Sequence, residues 1–578
     1  MKSNRQSFLR GAAILTVSLA IVKILGLVFK IPLTNILGGT GMGYYNTAFM
    51  LFSPVFALAV GGFPTAVSKL VAEHSVRGRY RDVRRIFRLS MTIYCVTGLA
   101  GTAAILGVSG FFVRAVNNPE AYWSVMALAP AVLFNCVIAG YRGYFEGLCD
   151  MRPTAVSQVV EMTIKLAAGL GLALWVISYA AGQFETTGFV FGTYVADASE
   201  LPGVTAPYAA AASVLGVSIS DLTGMLYLAW RYWRNDSIAP AQWEASPAPF
   251  GRRRLFSELT SIAMPICVGG FLLNVTSLVD LWSMMNRLEY LAGRYTQQLY
   301  EALGSALPRD MPLTDIPNYL YGCYTGLAVS IYGIIPALAG VMAKSALPNI
   351  ASSWACGNRE HTRRNIELVI RITALITIPC GVGVCVLAGP ILSALFSARP
   401  AEASIATPIL AIMGIGVIFQ AISTLLFAVL QAVGHPTLPV KHMAAGGILK
   451  ILLNLFLISV PSLNLSGAAI ASVLSSLLIL LLELRALVRV TGIQFRYGKI
   501  FLRPAFAGML CGIGGKTCYQ LLLQYMSSKL ALPAAVVIAA LVYTVAVICL
   551  RAVSKNDLEM FPGGKKVAKG LEKLGVMR

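Results

Sequence analysis

Pro64-Thr65-Ala66-Val67-Ser68 precedes a basic stretch with Arg81 and Arg88, and Pro348-Asn349-Ile350-Ala351-Ser352 precedes another with Arg364 and Arg371. The prolines are 284 residues apart and the two arginine pairs 283. Pro153-Thr154 and Pro436-Thr437 match again at 283. Loop prolines coinciding by chance is the plain alternative, but four matched positions at nearly one offset weigh against it. Each match follows a long apolar run, so the repeated object is a set of apolar segments. It divides the chain into two six-span lobes, 1–232 and 256–490, joined by a basic linker at 233–255. Residues 491–551 add two further spans, and 552–578 form a basic tail. Repeats of equal topology are related by an axis along the membrane normal, and transporters built this way often bind substrate at the repeat interface.

Composition fixes what those segments are. Of the 578 residues 57% are hydrophobic and only 12% charged, with a mean hydropathy of +0.72. A soluble chain carries roughly 25% charge, so the polar surface here does not suffice to cover a soluble body. The class is all-α and polytopic, with a span needing about 20 apolar residues. Fourteen candidates follow: 8–36, 44–70, 87–113, 121–146, 153–180, 206–231, 256–283, 317–347, 366–396, 403–432, 441–460, 466–489, 501–525 and 531–551. The first is too long for a signal peptide, carries Lys23 and Lys30, and lacks a small-residue cleavage site.

The net charge of +21 would suggest nucleic acid in a soluble protein. Here the basic residues cluster between spans, as membrane topology produces, and no nucleic-acid partner is expected. The linkers on one side hold the dense runs, Arg77 to Arg88 above all. The opposite loops carry Arg114, Arg287, Arg294, Arg309, Arg399 and Lys529. Positive loops stay inside, so an even span count with both termini cytoplasmic, in the cytoplasmic membrane of a bacterial cell, is expected. The eleven Cys are scattered and only four His are present; neither a disulfide framework nor a metal site is expected.

The stretch Tyr141-Arg-Gly-Tyr-Phe-Glu-Gly-Leu-Cys-Asp-Met-Arg-Pro-Thr-Ala-Val-Ser-Gln-Val-Val-Glu161 resembles the segment joining helices 4 and 5 in the stage V sporulation protein B group. The opening, Lys23-Ile-Leu-Gly-Leu-Val-Phe-Lys-Ile-Pro-Leu-Thr-Asn-Ile-Leu-Gly-Gly-Thr-Gly-Met-Gly-Tyr-Tyr45, is similar to that group's first helix and loop. The group belongs to the polysaccharide-transporter branch of the multidrug/oligosaccharidyl-lipid/polysaccharide exporter superfamily. The pattern covers the whole chain. Twelve helices are usual in the multidrug branch, so the last pair favours the polysaccharide branch. One departure is Glu146, where the group usually carries Gln. The resemblance implies a flippase, not an enzyme, for an undecaprenyl-pyrophosphate-linked sugar, with a peptidoglycan precursor the foremost cargo and a sporulation role included. It implies no cofactor, membrane lipid as surroundings, and cell-wall synthesis proteins as partners.

Charges inside spans each cost about 2.5–3.5 kcal/mol at the centre, so each requires a wet cavity, a partner or a function. Lys23 and Lys30 lie seven residues apart on the first span. They fall within about 20° of one face and about 10 Å apart along the axis. Their functional reading is a cationic stripe that attracts a pyrophosphate headgroup; the structural one is snorkelling, easier for Lys30 than for mid-span Lys23. Glu161 and Lys165 stand at i,i+4, a spacing that allows mutual neutralisation or a pair that a phosphate opens by competing for the lysine. Lys450 occupies a corresponding place in the second lobe. Asp221, Asp280 and Glu161 are carboxylates of the kind that bind Na⁺ or a proton, so coupling to either gradient is an expectation; for Asp280 the alternative is an interfacial residue near Arg287.

Gly512-Ile-Gly-Gly-Lys-Thr517 resembles the end of a phosphate-binding loop, but the required Gly is Leu510 and the segment lies in an apolar span. Lys516 is expected instead in a groove for the lipid tail. Pro54, Pro265, Pro336 and Pro379 fall in span interiors, where they bend helices. Two competitors remain. A multidrug cation antiporter wants an acidic, aromatic cavity, whereas the mid-span charges here include three lysines. A membrane glycosyltransferase wants an Asp-x-Asp metal site or a large catalytic loop, and 284–316 contains no such cluster. A non-transporting scaffold is the third alternative.

Overall fold

In the computed structural model, residues 2–234, 244, 246–309, 311–492 and 498–550 are described. The basic tail at 552–578 and linker residues 235–243 and 245 lie outside them. The helices are α1 (Lys2–Val60), α2 (Phe63–Val76), α3 (Tyr80–Ala115), α4 (Tyr122–Gly147), α5 (Arg152–Thr187), α6 (Leu201–Arg234) and α7 (Arg252–Arg294). They continue as α8 (Thr296–Leu303), α9 (Ile316–Gly322), α10 (Val329–Tyr332), α11 (Ile334–Ala355), α12 (Arg359–Val386) and α13 (Ala388–Leu395). The last are α14 (Pro400–Ala432), α15 (Thr437–Leu457), α16 (Asn464–Thr491), α17 (Arg503–Leu522) and α18 (Ser528–Cys549). A two-residue antiparallel hairpin pairs Phe189 with Tyr194 between α5 and α6. The chain is a multi-pass membrane protein, nearly all helix.

Among the described residues, twelve helices are long and apolar enough to cross a membrane, against fourteen read from the sequence. Two places make the difference. Residues Val17–Val76 count as one segment, which merges the first two expected spans. And α17 falls short of the required apolarity, because Arg503, Lys516, Thr517 and Gln520 share it with four glycines.

The first merger conceals a reversal. As a straight rod, α1 would be about 90 Å long, about three times the hydrocarbon thickness. Gly38 breaks it, with φ 64° and ψ −171°, a left-handed φ that glycine takes without a Cβ penalty. Lys30 Nζ then donates to Asn46 Oδ1 at 3.1 Å, although sixteen residues of straight helix would separate the pair by about 24 Å. The chain therefore folds back at Gly38 into two legs. The second leg ends at Gly61-Gly62 before α2, so the expected span 44–70 is two helices rather than one.

The expected span 317–347 is likewise interrupted. It consists of α9, a π-helical turn at Cys323–Ala328, α10 and α11. The break before α11 at Gly333 lies three residues ahead of Pro336, whose ring clashes with the carbonyl four residues back. Pro54, Pro265 and Pro379 stand inside continuous helices.

By packing, the chain divides into two compact units: Met1–Asn286 with Thr314–Gly322, and Arg287–Leu313 with Cys323–Arg578. The seventh span, grouped with the second lobe by the repeat, packs up to Asn286 with the first unit. The reason is its seam with α1 and α2. The Gly62 amide donates to Cys267 Sγ at 3.1 Å, and a Cβ on Gly62 would overlap the Ala263 carbonyl oxygen. The core of the first unit includes Leu33, Met42, Ile86, Tyr94 and Phe145, all fully buried.

The linker joining α6 to α7 is pinned to the α2–α3 corner of the same unit. Asp82 is fully buried. It accepts from Arg79 Nε at 2.6 Å and from the Phe250 amide at 2.7 Å. Arg79 also donates to the Ala248 carbonyl and stacks 3.6 Å from the Phe250 ring centroid. Ser246 accepts from the Arg81 amide, and Arg85 donates to the Phe250 carbonyl.

The second unit is built on α12, α14 and α16. Ile366, Ile370, Leu425, Leu426, Leu430 and Leu487 are buried together there. The final pair, α17 and α18, packs on α12: the Tyr543 hydroxyl donates to the Leu375 carbonyl at 2.7 Å.

Candidate functional site

The fold-back at Gly38 sets two stretches of α1 against the same neighbours. Phe29 and Lys30 come from the first leg, and Tyr45, Asn46 and Phe49 from the second. Lys30 is half-buried, donates to Asn46 and lies 5.7 Å from the Tyr45 ring centroid. Lys165 on α5, also half-buried, has its ammonium 5.2 Å from the Phe29 centroid and 5.5 Å from that of Phe49. An ammonium over ring faces is attracted by the ring quadrupole, more strongly once it is desolvated. The two lysines are near enough to repel one another.

Two carboxylates complete the group. Asp221 on α6 is within coulombic range of Lys165, Glu161 and Arg142. Its Oδ2 accepts from the Asn135 amide of α4 at 2.5 Å, so the aspartate without a sequence neighbour has a partner on another helix. Glu161 is paired with Arg142 of α4, whose NH2 lies 2.7 Å from Oε1 and 2.8 Å from Oε2. The Arg142 guanidinium also donates to Ser157, one turn before Glu161. The i,i+4 spacing with Lys165 is thus left unused in favour of an interhelical bond.

Two glycines permit this packing. A Cβ on Gly224 of α6 would overlap Glu161 Oε1. A Cβ on Gly216 would fall 2.5 Å from the Gly169 Cα, so α5 and α6 approach backbone to backbone. The outcome, within the first unit, is a group that gathers Lys30, Lys165 and Arg142 with Glu161 and Asp221 from α1, α4, α5 and α6, and Glu146 is a further carboxylate in range of Arg142. Its two lysines have an aromatic lining. Chemically it suits an anion, since guanidinium and ammonium donors form the stronger, charge-assisted hydrogen bonds.

The other expected residues lie elsewhere. Lys23 is exposed on the first leg of α1, and Asp280 is half-buried on α7. In the second unit Lys450 is half-buried on α15, within coulombic range of Tyr332. Lys516 is exposed in the helical interior of α17, so its glycine-rich segment forms no phosphate-binding loop. Glu146 is half-buried near the end of α4, one turn after Arg142 and in range of its charge. Among the described residues no group of three metal-ligating side chains occurs.

Arg142 and Asn135 escape the sequence reading. Arg142 does carry a signal: an arginine within a span demands a partner, and it stands inside the quoted Tyr141–Glu161 stretch. Asn135 carries none, because an amide in an apolar span has many structural uses.

Comparison with known proteins agrees with this architecture. A family model described as polysaccharide biosynthesis protein matches residues 8–198, and one described as lipid II flippase MurJ matches 323–521. Stage V sporulation protein B of Bacillus subtilis (strain 168) is 24% identical over 563 residues, which cover 96% of this chain and 98% of that protein. Lipid II flippase MurJ of the same organism is 24% identical over 497 residues, 84% of each chain. Among solved structures, lipid II flippase MurJ in an inward closed conformation superposes with a TM-score of 0.60 at 14% identity, covering 93% of this chain and 99% of that one. An inward-facing multidrug resistance MATE family transporter gives 0.55 at 14% identity, over 81% of this chain and 98% of that one. These structural likenesses concern the fold.

Proposed function

We propose that this chain, which belongs to the stage V sporulation protein B-like family of polysaccharide and lipid-linked saccharide flippases, moves an undecaprenyl-pyrophosphate-linked saccharide across the cytoplasmic membrane by alternating access. The observation that carries the reading is the pair of ammonium groups, Lys30 and Lys165, brought together against aromatic rings inside the spans of the first unit, neither of them bonded to a carboxylate among the described residues. Two half-buried ammonium groups side by side are costly unless an anion or water meets them, and a pyrophosphate supplies that anion. The relatives' names supply the cargo class: one is a lipid II flippase, which makes a peptidoglycan precursor the first candidate, and the other carries a sporulation name.

In this reading Lys30 and Lys165 receive the headgroup while the polyprenyl tail stays in lipid. Lys23 extends the cationic stripe along α1, Lys450 is a further candidate cation on α15, and Lys516 borders the path of the tail. Asp221, with Asp280 and Glu161 as further candidates, takes up Na⁺ or a proton to drive the cycle. Counting the two legs of α1 separately, and α17 as a span, restores fourteen crossings with both termini cytoplasmic: two lobes of six and a final pair.

A cation antiporter is the second reading, supported by the MATE-type fold neighbour. The adjacent ammonium groups of Lys30 and Lys165 oppose it, because a cationic drug would meet repulsion from both. The test is translocation in proteoliposomes, with a labelled polyprenyl-pyrophosphate saccharide in one arm and a lipophilic cation in the other, each with and without Na⁺ and proton gradients. Protein-dependent movement of the pyrophosphate lipid alone is expected; movement of the cation alone would establish the antiporter instead.

A further inference from the structure

The sequence spacing and the structure disagree over one carboxylate, and the disagreement assigns a role. Glu161 and Lys165 are four residues apart on α5, a separation at which opposite charges pair along one helix face. Had they paired, Lys165 would be neutralised by its own helix. Instead Glu161 is held from the side. Arg142 binds both of its oxygens and ties in Ser157. Gly224 lets α6 close directly on the carboxylate. The Arg142 and Glu161 side chains are only 20% and 15% exposed, so the attraction between them is weakly screened. Lys165 is left against the faces of Phe29 and Phe49, which attract its charge without cancelling it.

We infer that Arg142 is a positioning residue that determines the sign of the cargo: by sequestering Glu161 it keeps the ammonium groups of Lys165 and Lys30 available to an anionic headgroup. A carboxylate released from Arg142 would lie one helical turn from Lys165. Asp221, the carboxylate in range of Lys165, partly offsets its charge and is held by the Asn135 amide, a bond that Arg142 does not make and that the Arg142 variants leave in place. Specificity for an anion thus rests on a residue that need not touch the anion. The inference depends on the flippase reading, and it goes further by naming the residue that keeps the site cationic.

The test measures binding of a short-chain polyprenyl pyrophosphate to the purified full-length protein in detergent, with the matching polyprenyl alcohol as the uncharged probe. Arg142→Met should weaken pyrophosphate binding by at least about tenfold, the worth of one charge-assisted hydrogen bond, and leave alcohol binding unchanged. Adding Glu161→Gln to Arg142→Met removes the released carboxylate and should return affinity to within about threefold of the wild type. Arg142→Lys, which keeps a cation opposite Glu161, should also stay within about threefold.

A double variant as weak as Arg142→Met would overturn the inference, because Arg142 would then act on the cargo directly. So would Arg142→Met binding as the wild type does. Should Arg142→Met not fold, the lysine variant and the double variant, compared by the ratio of pyrophosphate to alcohol affinity, still decide the matter. A wild-type protein that binds the alcohol and the pyrophosphate equally removes the flippase reading itself, and the inference with it.

Discussion

Two of the arginine–carboxylate pairs of the first unit look alike on paper and differ in their surroundings. At the α2–α3 corner, Asp82 is fully buried and saturated, with Arg79 on one oxygen and the Phe250 amide on the other. The further arginines there engage the linker itself: Arg85 donates to the Phe250 carbonyl and Arg254 lies 4.3 Å from the Phe250 ring centroid. Inside the spans, Glu161 is also held by an arginine, but Lys30, Lys165 and Asp221 share the site. The first pair fixes a connection; the second holds a carboxylate one turn away from Lys165. An ion pair taken alone says little about function, and what stands beside it says more.

The contrast can be broken most forcefully at the corner. Asp82→Ala orphans the Phe250 amide and leaves a largely buried Arg79 without its partner. Removing one member of a buried pair typically costs about 3–5 kcal/mol. The expected result is a large loss of thermal stability in detergent, read as the disappearance of the monodisperse species on heating, with the ratio of pyrophosphate to alcohol affinity preserved in protein that stays folded. A stable variant with altered cargo preference would mean that the corner, too, acts on the cargo.

A smaller effect sharpens the other side. Gly224→Ala removes no charge, yet its Cβ would overlap Glu161 Oε1. Overpacking of this kind costs about 1–3 kcal/mol, and here the strain pushes Glu161 off Arg142 and toward Lys165. Pyrophosphate affinity is expected to fall by severalfold, with a modest loss of stability, measured by titration and by melting of the same preparation. Unchanged affinity would mean that Glu161 has room to yield without leaving Arg142.

What is legible in the sequence follows from range. Apolar runs are properties of continuous chain, so the helical membrane class can be read from them. Reversal of the chain between the first two spans can be read for the same reason, although the two-legged contact of Lys30 with Asn46 cannot. The second and eighth spans go astray where Gly61-Gly62 and the π-helical turn at Cys323–Ala328 interrupt runs that are uniformly apolar. Hydropathy does not register a break that leaves composition unchanged.

At the site, Lys30, Lys165, Glu161 and Asp221 stand out individually, because each is expensive in hydrocarbon. Their pairing does not. Spacing along one helix offers Glu161 only Lys165, whereas the partner it takes lies 19 residues earlier on another helix. Asp221 lacks a neighbour along the chain for the same reason: Asn135 is 86 residues away. Interhelical packing decides such contacts, and here it depends on glycines at positions 216 and 224 whose significance no periodicity reveals.

The most direct measurement is the affinity of the purified protein for a short-chain polyprenyl pyrophosphate before and after Lys30→Gln and Lys165→Gln are introduced together, with Lys529→Gln as the control for an exposed lysine outside the cluster. Removing two charge-assisted hydrogen bonds should lower affinity on the order of a hundredfold while the uncharged polyprenyl alcohol binds as before and the control changes little. If the double variant held the pyrophosphate as tightly as the wild type, the cationic cluster of the first unit would not be where the headgroup is received.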